Sequence, residues 1–335
     1  MPVVSAPYEF LNPDVYLDLK PTIGRNLVVK CEGLNFGGSV KMRAAAAMVA
    51  RAERDNLITG DTRLVESSSG NLGVALSVIA AAKGIPFTCV VDPRCNAATL
   101  ATMRALGTDL VMVRRPHPVG GFLQARLDRV AELRAADPRY LWLNQYTNVA
   151  NCTAHYEGTA PEILKRFPAL DVLFVGVGTG GTAIGCAWYL RDSGATTRIV
   201  AVDAAGSVTL GQAPAPRLIP GLGAAVPPPM FDPDLFSDTV VVPEIDTVRA
   251  CRTLAANGML FGGSTGTVVS GALTWLRRHD PRGDLQAVCV SADMGERYLN
   301  TIYDDDWVEK NFGAAALEPL PGVRARRRVA HGRAQ

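Results

Sequence analysis

Short apolar runs alternate along this chain with longer stretches whose apolar residues recur every three or four positions. The short runs begin at Val28 and Leu64 and cover 87–91, 110–113, 141–143, 172–177, 199–202 and 287–290; they read as strands. The longer stretches, 42–54, 74–83, 97–106, 121–136, 183–190, 248–257 and 268–278, read as helices. Strand and helix taking turns, without internal repeats, predict an α/β protein built on parallel sheets. Pro214, Pro216, Pro220 and Pro227 to Pro229 mark a loop-rich segment that borders the site rather than linking domains, because chemistry-bearing motifs fall on both sides of it.

The run at 172–177 breaks into Gly176-Val177-Gly178-Thr179-Gly180-Gly181-Thr182 before a helix resumes. Glycines let backbone N–H groups turn inward, threonines add hydroxyl donors, and the helix N-terminus favours an anion, so this loop reads as a phosphate cup. It also resembles a dinucleotide fingerprint, with Asp203 after Ile199-Val200-Ala201-Val202 where a ribose-binding acid is expected. A nicotinamide oxidoreductase is therefore the rival reading.

Three further segments supply parts that such an enzyme does not use. In Val28-Val29-Lys30-Cys31-Glu32-Gly33-Leu34-Asn35-Phe36-Gly37-Gly38-Ser39-Val40-Lys41, the lysine stands at the start of the helix 42–54. Lys41 is the candidate Schiff-base lysine, since such a lysine needs a rigid mount and must be deprotonated when it attacks; Arg43 is the candidate cation favouring that state. In Glu66-Ser67-Ser68-Ser69-Gly70-Asn71-Leu72-Gly73, the donors of Ser68, Ser69 and Gly70 can hold a substrate carboxylate, and the Asn71 amide can reach a phenolic oxygen. In Gly262-Gly263-Ser264-Thr265-Gly266, Ser264 can bond a pyridine nitrogen and, being neutral, leave it largely unprotonated, which suits elimination better than transamination. Together these segments describe a site for pyridoxal 5'-phosphate.

At this point the sequence resembles, over roughly residues 10–310, the cysteine synthase/cystathionine β-synthase family of fold-type II pyridoxal phosphate enzymes. The family's lysine motif is matched by Asn35 to Lys41, its carboxylate loop by Ser68 to Asn71, its phosphate loop by Gly178 to Thr182 and its pyridine serine by Ser264. Asn144-Gln145-Tyr146-Thr147-Asn148, Ile219-Pro220-Gly221-Leu222-Gly223 and Ser291-Ala292-Asp293-Met294-Gly295-Glu296-Arg297-Tyr298-Leu299 match further. The departures are Met42 where an aspartate commonly follows the lysine, Ser67 and Ser68 in place of a proline-threonine entry, and Leu72 where a threonine is customary. These put sulfide as the acceptor in question. Residues 66–76, with Asp92-Pro93-Arg94-Cys95-Asn96, more closely resemble the N-(2-amino-2-carboxyethyl)-L-glutamate synthases of 2,3-diaminopropionate biosynthesis, which serves siderophores or peptide antibiotics.

The resemblance implies two domains, each with a central, mostly parallel sheet flanked by helices: a discontinuous larger one at 8–43 and 148–312 that binds the cofactor, and a smaller, mobile one at 44–147 carrying the substrate loop. Closure of the smaller domain would exclude water, with Gly70 and Gly73 as glycines that permit it. Lys41, Asn71, Gly178, Thr179, Gly180, Gly181, Thr182 and Ser264 would bind the cofactor; Ser68, Ser69, Gly70, Asn71, Gln145 and Gly221 would bind substrate. The implied reaction is a β-replacement by a transferase: O-phospho-L-serine loses its α-proton to Lys41 and then its phosphate, giving an aminoacrylate, and the amine of L-glutamate adds. A phosphate leaving group and a dicarboxylate acceptor call for cations, for which Arg43, Arg94 and Arg217 are the candidates. A cysteine synthase or O-phosphoserine sulfhydrylase using sulfide is the alternative. The family is commonly homodimeric.

Composition fits this picture. A chain of 335 residues, 48% of them hydrophobic, can bury a large core and exceeds one typical domain. No apolar stretch reaches the roughly 18 to 20 residues of a membrane span, and Met1-Pro2-Val3-Val4-Ser5 lacks the order of a signal peptide, so a cytoplasmic location is expected. Seven scattered cysteines suit reduced thiols, and neither they nor the four histidines form a metal-ligand pattern. His155 is expected to cap or pack, with no chemistry assigned. A net charge of +2 gives no case for nucleic acid; the stretch 313–335, locally basic at Arg324-Ala325-Arg326-Arg327-Arg328, is expected to be a disordered tail.

Overall fold

The computed structural model describes residues 3–11 and 14–323. Ten strands occur among them: β1 (Tyr16–Asp18), β2 (Leu27–Cys31), β3 (Arg63–Ser67), β4 (Phe87–Val91), β5 (Asp109–Met112), β6 (Tyr140–Trp142), β7 (Val172–Gly176), β8 (Arg198–Ala204), β9 (Asp238–Val242) and β10 (Ala287–Ser291). They form a six-stranded sheet in the order β1-β2-β10-β7-β8-β9 and a four-stranded sheet in the order β5-β4-β3-β6. All pairings are parallel except β1 against β2.

Side chains alternate between the faces of a strand, and each sheet sorts its residues accordingly. On one face of the larger sheet Val29, Phe174, Val202 and Cys289 pack under the helix Gly263–His279. On the other, Leu173, Val175, Ala201 and Val290 pack under the helix Gly181–Asp192. The smaller sheet places Leu64, Cys89 and Val91 against the helices Lys41–Arg54 and Asn71–Lys83. Its opposite face presents Val65 and Val90 to Val130, on the helix Gly121–Ala136. Both faces of both sheets are covered, as parallel sheets require.

Strands β1 and β9 and the helical run from Ala150 to Arg166 have no counterpart in the sequence reading. The two strands are sheet edges, only partly buried, and their apolar runs, Val15-Tyr16-Leu17 and Val240-Val241-Val242, are only three residues long. The run from Ala150 contains Gly158 and Pro161, which read as breakers. The chain absorbs them with a π-turn over His155–Thr159 and by seating Pro161 in the first turn of the helix Ala160–Arg166, where its missing N–H costs nothing.

Packing also runs past the tail boundary expected at 313. Ala314–Leu317 form a 3-10 turn, Ala316, Leu320 and Val323 are buried in the cores, and Leu317 packs partly buried against one of them. The basic stretch 324–328 lies outside the described residues. No helix among those described is long and apolar enough to cross a membrane.

Gly185 marks the closest approach of two helices. A Cβ there would lie 2.2 Å from the Cys152 carbonyl oxygen and 2.8 Å from the His155 Cβ. Backbone cannot retreat as a side chain does, so Gly185→Ala is expected to cost about 3 kcal/mol or more by overpacking, read as a lowered denaturant midpoint with an unchanged slope.

Candidate active site

Parallel strands send their following loops to one edge, and the crevice beyond the carboxyl ends is where ligands bind in such sheets. The loops after β2, β3, β7 and β10 carry the residues singled out above.

After β7, Val177 to Gly180 lead into the helix Gly181–Asp192, whose free N–H groups open on the crevice. Gly180 has φ +91, and a Cβ on Gly181 would lie 2.2 Å from the Asn151 Oδ1, so this turn admits no larger residues. The Thr179 hydroxyl accepts from Asn151 Nδ2 at 3.2 Å and lies 3.4 Å from Lys41 Nζ. The Thr182 hydroxyl lies 3.1 Å from His155 Nε2, and the other ring nitrogen of His155 lies 2.9 Å from the Thr159 hydroxyl. Burial and the charges of Arg43 and Lys41 hold His155 neutral, its pKa well below the usual value. His155 thus packs, as expected, and what it packs against is the phosphate loop.

Lys41 begins the helix Lys41–Arg54 and is partly buried. Burial lowers its ammonium pKa from 10.5 to about 8. Among the described residues no carboxylate lies within ion-pair distance of it. Arg43, proposed as its neighbouring cation and as an anion contact, is instead neutralised: its guanidinium holds Glu32 at 2.7 Å and Glu162 at 2.6 and 2.9 Å, and Lys30 joins the same two carboxylates at 3.3 and 2.9 Å. A buried arginine is tolerated only when so paired. Arg94 is 64% exposed beside Asp92, and Arg217 donates to the Gly206 carbonyl.

Asn71 opens the helix Asn71–Lys83, donating from Nδ2 to Asp293 Oδ2 at 2.9 Å and accepting at Oδ1 from Arg297. Ser264 is buried at the start of the helix Gly263–His279, and a Cβ on Gly221 would lie 2.2 Å from its hydroxyl, so Gly221 leaves room for that oxygen rather than adding a group of its own. In the carboxylate loop the hydroxyls are turned inward. Ser68 accepts from the N–H groups of Gly70 and Gly73 at 3.4 and 3.1 Å. Ser69 donates to Asp92 at 3.0 Å and accepts from Arg126 at 2.8 Å. The Ser68 N–H is taken by the Val90 carbonyl at 3.1 Å, so the donors left for a carboxylate are the Ser68 hydroxyl hydrogen and the backbone N–H groups of Ser69 and Asn71. Nothing lies within 4 Å of a Cβ built on Gly70, which faces open space, whereas Gly73 is packed against Met103, Cys89 and the Ser68 carbonyl and is no hinge.

Gln145 is buried beside this loop, its carbonyl accepting from Asn151 Nδ2 at 2.9 Å. Beneath it Glu66 accepts from Ser67 N–H and Trp142 Nε1 at 2.8 and 3.0 Å, while burial pushes its pKa up to about 7. Met42 and Leu72, read as departures bearing on the acceptor, are fully buried in the apolar core under the smaller sheet and touch no substrate space. Asp203, the ribose acid of the rival reading, is wholly buried and accepts from the Ala204 N–H at 2.7 Å, so it presents nothing to a nucleotide.

The profile of the family described as pyridoxal-phosphate dependent enzymes matches residues 13–293. The chain belongs to that family. N-(2-amino-2-carboxyethyl)-L-glutamate synthase of Ralstonia nicotianae is 39% identical over 284 residues, covering 84% of this chain and 83% of that protein. The protein of the same name from Cupriavidus metallidurans is 37% identical over 319 residues, 92% of each. A hydrogen sulfide-producing enzyme from Fusobacterium nucleatum superposes with a TM-score of 0.83 at 32% identity, covering 89% of this chain and all of that one. An O-acetylserine dependent cystathionine β-synthase from Helicobacter pylori does so with 0.81 at 28% identity, covering 91% and all. Pyridoxal phosphate is thus the family's cofactor, and the glycine turn at 178–181, the unpaired Lys41 amine 3.4 Å from Thr179 and the Ser264 hydroxyl fit its phosphate, aldehyde and ring nitrogen.

Among the described residues, no three His, Cys, Asp or Glu side chains gather to hold a metal ion. Sequence reasoning passed over Arg126, Asn151 and Asp293, each held in place by residues distant in sequence. Only Asp293 carried a signal, as part of the Ser291 to Leu299 match.

With its ammonium destabilised by burial, Lys41 holds a proton below about pH 8 and is a free amine above it, whereas an ordinary lysine needs about pH 10.4. The rate at which apoprotein captures pyridoxal 5'-phosphate, followed by absorbance, is expected to rise about tenfold per pH unit up to that point and then level. A rise that continues past about pH 10 would contradict it, and Lys41→Ala gives the background.

Proposed function

We propose that this protein is an N-(2-amino-2-carboxyethyl)-L-glutamate synthase, joining O-phospho-L-serine and L-glutamate with release of phosphate. The observation that carries the reading is likeness to two proteins of that name at 37–39% identity over 84% and 92% of the chain. When bound, pyridoxal phosphate withdraws electrons from the substrate Cα and so makes its proton acidic and the β-substituent a leaving group.

This chain's residues supply the rest. Lys41 Nζ, whose pKa burial brings down to about 8, takes the α-proton as the free amine, and its rigid helix mount holds it at that carbon. Backbone N–H groups of Ser69 and Asn71, at a helix N-terminus, hold the substrate carboxylate together with the Ser68 hydroxyl hydrogen, with Gln145 alongside. The Cβ–O bond breaks as phosphate departs, and the glutamate nitrogen forms the Cβ–N bond and gives up a proton. Gly178 to Thr182 hold the cofactor phosphate, Asn71 its phenolic oxygen and Ser264 its ring nitrogen. Arg126 joins Arg94 and Arg217 as a candidate cation for the departing phosphate: it is buried behind Ser69, pairs through one nitrogen with Asp92 at 3.4 Å, and its Nε has no acceptor. Residues 44–147, which carry the smaller sheet, act as a domain closing on residues 8–43 and 148–312.

The reading carries a cellular setting with it: supply of 2,3-diaminopropionate for a siderophore or peptide antibiotic, in the cytoplasm, by a homodimer. Seven buried, unpaired thiols suit a reducing compartment. The exposed rings of Phe10 and Phe36, 5.7 Å apart beside the lysine loop, suit a second copy of the chain.

The second reading is a sulfide-using one; the Fusobacterium neighbour handles hydrogen sulfide, but as its product. The purified protein, given O-phospho-L-serine and O-acetyl-L-serine against L-glutamate and sulfide in competing pairs, is expected to yield the phosphoserine–glutamate adduct by mass spectrometry. Cysteine as the sole product would replace the proposal with a sulfhydrylase. Ser264→Asp, by protonating the ring nitrogen, is expected to slow adduct formation by at least about tenfold; an unchanged rate would remove Ser264 from the account.

A further inference from the structure

We propose that Asp293 is a positioning residue that fixes the Asn71 amide and joins the three cofactor-binding segments into one frame. It follows β10 and is 1% exposed. Its carbonyl accepts from Gly262 N–H at 3.0 Å and the Thr265 hydroxyl at 3.4 Å, which seats the helix bearing Ser264. Ser39 forms an isolated antiparallel bridge with it, and the adjacent Ala292 carbonyl accepts from Val40 N–H at 2.7 Å, which seats the helix bearing Lys41.

The side chain governs the third segment. Asp293 Oδ2 accepts from Asn71 Nδ2 at 2.9 Å and from the Tyr298 hydroxyl at 2.6 Å. On the other side of the same amide, Arg297, which can only donate, requires the Asn71 carbonyl oxygen to face it. The two partners leave the amide one orientation, with its second N–H spare for a ligand oxygen. Space is reserved for this carboxyl: a Cβ on Gly262 would lie 2.1 Å from Asp293 Oδ1. Oδ1 has no hydrogen-bond partner, and burial raises the pKa of the group. Both acceptor positions of Oδ2 are filled, so a proton taken up goes to Oδ1 and Oδ2 still accepts from Asn71.

The inference rests on the reading that Asn71 faces the cofactor, and its test separates the two. Apoproteins carrying Asn71→Ala, Asp293→Ala and both are titrated with pyridoxal 5'-phosphate, recording affinity and the absorption band of the bound cofactor. Each single change is expected to weaken binding about tenfold and shift the same band, and the double variant to be no worse than either, because Asp293 acts through Asn71. Asp293→Ser, small enough for the space beside Gly262 and still an acceptor, is expected to stay within about threefold. Additive losses in the double variant, or an unaltered band in Asp293→Ala where Asn71→Ala shifts it, overturn the proposal. An Asn71→Ala protein with unchanged affinity and band overturns the Asn71 reading itself. Arg297→Met frees the amide from its other side without touching the buried carboxyl; the same band shift is expected there, and its absence overturns the proposal even where Asp293→Ala does not fold.

Discussion

With β10 paired in parallel to β2 on one side and to β7 on the other, the loops carrying Lys41 and Thr179 leave the larger sheet at the same edge, with only the β10 loop between them. Register sets the spacing: Val288 stands opposite both Val28 and Leu173, so all three strands end level. A one-residue slip would turn the apolar residues of a strand to the wrong face, and both faces are buried, which makes this register costly to lose. The 3.4 Å approach of Lys41 Nζ to Thr179 follows from that pairing rather than from any attraction between the two groups.

The charges near Lys41 are sorted by what each must do. Lys30 and Arg43 are buried in ion pairs with two shared carboxylates, Glu32 and Glu162. Lys41 is given no carboxylate, and burial brings its pKa down to about 8. Removing one partner from a buried cluster exposes the others to the full desolvation penalty, so the four charges are bound to one another's presence. Their position beneath the first turns of the helix bearing Lys41 anchors that helix by charge while keeping the charge away from the amine.

Strands with continuous apolar runs were legible as strands, and loops that combine glycine with hydroxyls were legible as sites, because both signals are local. β7 and the loop after it illustrate this, as does Lys41 at a helix start. What stayed hidden depends on contacts across the chain. Arg43 looked like a free cation because Glu162 is 119 residues away, and Arg126 looked like one more helix charge because Ser69 is 57 residues away. Met42 and Leu72 looked like substrate determinants because they flank site residues, yet successive residues of a helix point in different directions, and these two point into the core. The run from Ala150 was lost to Gly158 and Pro161, whose effect depends on where in a turn they fall.

Most hydroxyls and amides of the crevice are already bonded within the protein: Ser68 to its own loop, Ser69 to Asp92 and Arg126, Asn71 to Asp293 and Arg297, Thr182 to His155. Those bonds cost the site donors it was expected to offer, but they hold fixed the backbone N–H groups and single spare hydrogens that remain. Rigid donors stabilise developing charge without reorganising at the moment of reaction, whereas a hydroxyl free to turn must first be oriented. Arg126 makes the trade visible: one of its nitrogens is held between Ser69 and Asp92, at 2.8 and 3.4 Å, and locks the loop.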